Sequence, residues 1–167
     1  MTDGSARDDL GALLASARSR LAGAPRIRLG ELREPGRIRR AFGGREAIVP
    51  AASAWHLGVL LVGDERLWAT GTILRASEEV RRGFTAESQR ERAAVRGMAF
   101  RGGFAEGEPF HTGGEEIDVA AVAGGSPGGP LSWRGGRLMV SWSPAGFLMP
   151  LADYLDERIG LALAPAD

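Results

Sequence analysis

Few residues in this chain are of types that break bonds, and the spacing of each set can be checked against a mechanism. Gly124-Gly125-Ser126-Pro127-Gly128 spells G-x-S-x-G, the motif that carries the serine of many hydrolases. That serine acts from a sharp turn between a strand and a helix, exposed above a sheet. Pro127, Gly129 and Pro130 forbid a helix after Ser126, so the stretch reads as a loop. The histidines are His56 and His111, and His111 stands among Glu108, Glu115, Glu116 and Asp118. Carboxylates with an imidazole could hold a hard or borderline metal ion, or support hydrolysis. Glu108, His111 and Glu115 are the candidate ligands, although no paired-histidine spacing accompanies them. His56 alternates with Trp55 and Leu57 and reads as a hydrogen-bonded histidine of a core or sheet face. Spacing singles out no carboxylate pair for glycoside chemistry.

Binding chemistry is better supplied. Residues 26–45 carry seven arginines (26, 28, 33, 37, 39, 40 and 45) against two glutamates, while residues 104–118 carry five acidic residues and no basic one. Guanidinium pairs bidentately with phosphate, which makes residues 26–45 a candidate nucleic-acid surface. Phe42 is their only aromatic residue, short of the stacking platforms of single-strand binders. Opposite charge in the two segments fits a contact within the fold or between subunits equally well. A second candidate uses the tryptophans: Trp133 and Trp142, with Arg101 and Arg137 at the rim of a cavity, could hold a small anionic ligand.

Absences exclude whole chemistries. All 21 basic residues are arginine, and the chain has neither lysine nor cysteine. Without an amine there is no Walker P-loop, pyridoxal Schiff base, kinase or serine-x-x-lysine mechanism. Without a thiol there is no disulfide, thiolate nucleophile or zinc–cysteine site. The charge sums to zero and the hydrophobic fraction is 44%, as in an ordinary soluble globule. The N-terminus is acidic and polar, and the apolar stretch Ala54 to Val62 is far short of the roughly 20 residues of a membrane span. A cytoplasmic protein, with no membrane partner, is expected.

The elements that must position these residues follow from periodicity. Leu10, Leu13, Leu14, Ala17 and Leu21 predict a helix over 6–22, stopped by Gly23 and Pro25. Residues 26–45 read as a link with a turn at Pro35-Gly36, and a short run over 46–50 ends at Pro50. Trp55 to Val62 and Leu67 to Leu74 predict a hairpin across Gly63-Asp64-Glu65. Thr85 is a candidate cap for a helix over 86–101, ended by Gly102-Gly103. Residues 104–118 read as an acidic loop, and 117–123 as a strand. A second hairpin crosses Gly135-Gly136, and a last helix with Pro150 in first position buries Leu151, Tyr154, Leu155 and Ile159. The fold predicted is one α+β domain over 1–167. Its mainly antiparallel sheet is built from two hairpins, with N-terminal, central and C-terminal helices packed on it.

Arg33-Glu34-Pro35-Gly36-Arg37-Ile38-Arg39-Arg40, Trp55 to Leu61, Phe100-Arg101-Gly102-Gly103-Phe104 and Val140-Ser141-Trp142-Ser143-Pro144 resemble a small family of proteins from high-GC actinobacteria, some of them labelled glutaminase. The resemblance implies a bacterial, cytoplasmic protein. It brings no catalytic residue, because amidohydrolases of the serine–lysine, threonine–lysine and cysteine types need an amine or a thiol. The residues therefore predict a non-catalytic binding domain, cofactor-free and homodimeric, for a partner protein or a small anionic ligand. A carboxylate/His111 hydrolase, with or without a metal, is the enzymatic alternative. Nucleic-acid binding through residues 26–45 is the third reading.

Overall fold

A computed structural model describes residues 8–79, 83 and 86–165. In chain order its elements are α1 (Leu10–Arg20), β1 (Ile27–Arg33), α2 (Arg37–Ala41), β2 (Ala47–Leu57), β3 (Leu60–Val62), β4 (Leu67–Ala69) and β5 (Thr72–Arg75). They continue with α3 (Glu87–Gly102), β6 (Pro109–Thr112), β7 (Glu115–Glu116), α4 (Val119–Ala123), β8 (Leu131–Arg134), β9 (Arg137–Ser141), β10 (Leu148–Pro150) and α5 (Leu151–Leu163). The α+β class holds, and strand pairing is mostly antiparallel. No helix among the described residues is long and apolar enough to cross a membrane. The chain forms two compact units: the first takes residues up to Arg26, Ala54–Thr70 and everything from Gly114, the second Ile27–Ser53 and Gly71–Gly113.

The first unit is built by burial. Leu10, Leu14, Ala17 and Leu21 of the predicted stripe are buried, in one cluster with Trp55, Leu57, Leu60, Leu138, Val140 and the four predicted residues of α5. Asp9 caps α1, its side chain accepting from the Ala12 N–H at 3.0 Å. The β8–β9 hairpin crosses Gly135-Gly136 as predicted, with Leu131 opposite Val140 and Trp133 opposite Leu138. β10 extends it to a three-stranded sheet, and Pro150 is the cap of α5 instead of its first residue.

The other predicted hairpin divides differently. Trp55 to Val62 is no single strand: the chain reverses at Gly58, pairing Trp55 with Val62 and Leu57 with Leu60. Gly58 has φ +63°, and a side chain there would run into the Tyr154 hydroxyl. That hydroxyl donates to the Leu57 carbonyl and accepts from the Val59 N–H, both at 2.8 Å. A residue 95 positions away thus fixes the turn. The predicted return strand Leu67 to Leu74 breaks at Thr70-Gly71, leaving β4 on β3 in the first unit and β5 on β6 in the second. The strand predicted over 117–123 is also corrected. Asp118 accepts from the Ala121 N–H at 2.9 Å and caps the short helix α4, a local bond that outweighs the β-leaning valines.

The second unit carries a parallel pair that the two-hairpin description lacks. β1 runs parallel to β6, with Arg28 beside Phe110 and Leu29 beside His111, so the link over 26–45 and the acidic loop over 104–118 both contain strands. Residue 50 does not end its strand either, because β2 continues through Pro50 to Leu57. The buried cluster is small: Ile48, Ala76, Ala99, Phe104 and Phe110, with Leu74, Val95 and Met98 against it. α3 closes at Gly103, as predicted, in the left-handed conformation. Thr85, its candidate cap, lies outside the described residues, as do residues 6 and 7 of the predicted first helix.

Candidate functional site

Within the second unit, β1 delivers the chain into Glu34, Pro35 and Gly36, and α2 then holds Arg37, Ile38, Arg39 and Arg40 in one short helix. Its exit is closely defined. The Gly43 N–H donates to the Arg40 carbonyl at 3.2 Å and the Gly44 N–H to the Arg39 carbonyl at 2.7 Å, with Gly43 at φ +77°. This is the Schellman pattern, which terminates a helix and fixes the residues before it. Phe42, the C-cap, is held at that exit and is 86% exposed.

A cleft of about 520 Å³ opens here, with Arg33, Arg39, Phe42, Gly43 and Arg101 among its walls. Its arginines are not equivalent. Arg45 and Arg101 both donate to Glu79 Oε2, at 2.7 and 2.9 Å, and Arg101 reaches the Glu46 carbonyl at 3.1 Å. Glu34, the cleft's carboxylate, pairs with Arg40 at 3.3 Å. Arg33 and Arg39 have no ion pair among the described residues and are exposed. A second cleft of about 470 Å³ shares Arg45 and Arg101 and adds Arg40, but there Glu46 and Glu79 offset two of the three charges, whereas the first sets Glu34 against four arginines. Positive potential therefore concentrates in the first.

The predicted pairing of the basic and acidic segments appears at one place. Arg28 makes a two-pronged bond to Glu108, at 2.6 and 2.7 Å, and lies 4.8 Å over the Phe104 ring. The guanidinium, then the Ala105 N–H, hold the Glu108 carboxyl below its ordinary range, and the same pairing raises the Arg28 pKa.

The residues of the predicted metal set are placed by other contacts. Glu108 is engaged, and Glu115 belongs to the first unit, opposite Ala69. His111 is buried, its Nε2 accepting the Gly71 N–H at 2.6 Å. Among the described residues no three His, Asp or Glu side chains could hold a metal ion together. Ser126 follows a helix and precedes a strand, the reverse of a nucleophile elbow. His56 sits on an exposed sheet face, its Nε2 2.9 Å from the Gly58 carbonyl.

Of the four predicted ligand-binding residues, Arg101 lines the cleft. The other three belong to the first unit. Trp133 donates to the Val122 carbonyl at 2.8 Å, and Trp142 is 41% exposed, stacked on Phe147. Arg137 faces Arg134 across the β8–β9 pair. The arginine-rich segment does line the cleft, although composition does not separate Arg33, Arg39 and Phe42 from its other residues. A usable signal was present: Phe42-Gly43-Gly44 directly after a run of helix-forming residues is a helix stop. A scan against protein-family models finds no match for this chain, and searches of curated proteins and of solved structures find none either.

Proposed function

We propose that this chain is a binding protein whose second unit takes a small anionic ligand in the cleft of Arg33 and Arg39. The observation that carries the reading is that neither has an ion pair among the described residues, beside a cleft of ligand size. Every other arginine of that wall is committed to Glu79. Guanidinium needs no proton bookkeeping and offers a planar fork to phosphate or carboxylate. The described lining holds no hydroxyl, imidazole or thiol, and its carboxylate is tied to Arg40. Those side chains suit holding a ligand and give no base or nucleophile for bond breaking.

Calorimetric titration with inorganic pyrophosphate tests the reading. Saturable binding is expected, and the double variant Arg33→Ala, Arg39→Ala should weaken it at least tenfold. Both side chains are exposed, so the variant should melt as the wild type does. Absent binding, or equal affinity in the variant, would overturn the proposal.

A further inference from the structure

Phe42 is the unexplained part of the cleft. Phe42, 86% exposed in a cleft that Ile38, at 78%, also lines, forgoes the burial that normally stabilises aromatic side chains. The ring is not on a loose segment either, because the bonds from Gly43 and Gly44 fix the helix exit that bears it. Gly43 itself has open space where a side chain would stand. The wall therefore offers an exposed apolar ring and, on the same cleft, two guanidiniums, Arg33 and Arg39, that have no ion pair among the described residues.

A ring face and a charged fork recognise different halves of one molecule. Aromatic side chains stack on any base through its π-face, and arginine takes phosphate. Building on the anion-binding reading, we infer that the ligand is a free nucleotide, with its phosphates at Arg33 and Arg39 and its base on Phe42. A volume of about 520 Å³ suits one nucleotide. It favours the free molecule over a strand, which would call for a run of aromatic residues where this segment has one.

The test compares ATP with inorganic tripolyphosphate, by calorimetry at one ionic strength, in wild type, Phe42→Ala and Phe42→Trp. ATP should bind about tenfold more tightly than tripolyphosphate, the scale of one base–aromatic stack. Phe42→Ala should remove that advantage and leave tripolyphosphate affinity within twofold, while Phe42→Trp keeps it. Because the ring is exposed, neither change threatens folding. Equal affinity of the two probes in wild type overturns the nucleotide assignment and leaves the anion reading standing. Failure of both probes overturns the two together. A ten-residue single-stranded oligonucleotide binding more than tenfold tighter than ATP would also overturn it, assigning the cleft to nucleic acid.

Discussion

The two units of this chain are stabilised by different means, and the difference indicates where a ligand belongs. In the first, helices α1 and α5 and the strands between bury leucine, valine, tyrosine and tryptophan in one extended cluster. Its arginines are largely committed: Arg26 lies 3.8 Å over the Trp55 ring while bonding both oxygens of Asp64. The second unit rests on five core residues, and polar ties supplement them: Arg28 with Glu108, and Glu79 shared by Arg45 and Arg101. Small cores give limited stability. A unit of this kind nevertheless leaves Arg33 and Arg39 at a cleft with no ion pair among the described residues.

The largest expected effect would strike the first unit. Tyr154→Ala should cost about 3–5 kcal/mol, because it empties a fully buried site and frees the Leu57 carbonyl and Val59 N–H. Urea unfolding followed by tryptophan fluorescence measures this; an unchanged midpoint would refute the role of Tyr154 in fixing the Gly58 turn. Next comes the second unit. A side chain at Gly102 would strike the Ile48 carbonyl, so Gly102→Ala should cost about 1–3 kcal/mol by overpacking. Hydrogen exchange should show that loss in β2 and α3.

Trp142→Ala should cost only about 0.5–1.5 kcal/mol, the worth of one aromatic pair, since the ring is part-exposed on Phe147. A loss as large as that of Tyr154→Ala would place Trp142 in the core after all. Smallest is the acid limb of stability. The folded-state pKa of Glu108 lies below its ordinary value of 4.5. The pair's contribution is therefore present above 4.5 and is lost as pH falls through the lower folded value. Glu108→Gln should lose less stability than wild type between about pH 6 and about pH 3, and a steeper loss in the variant would contradict the pairing.

What the sequence showed clearly was local. The stripe of α1, the buried face of α5, the Gly135-Gly136 turn and the Gly103 stop each depend on neighbours a few positions away, and each formed. What stayed hidden depends on distant partners. Gly58 sits in an apolar run without turn residues, and its reversal is held by Tyr154. The parallel β1–β6 pair joins Leu29 to His111, beyond the reach of any local pattern. The candidate site shows the same division. Excess arginine over 26–45 is visible from composition, but which of these arginines lack an ion pair among the described residues depends on where Glu79 and Glu108 fall in the fold.

The central claim is that a ligand enters the second unit at Arg33 and Arg39. Amide NMR of the labelled protein titrated with inorganic pyrophosphate tests it most directly. Shifts that saturate at Arg39, Phe42, Gly43 and Gly44, with Gly135 and Gly136 of the first unit unmoved, are the predicted result. Shifts centred on Arg134 to Arg137, or none at Arg39 through Gly44, would contradict it.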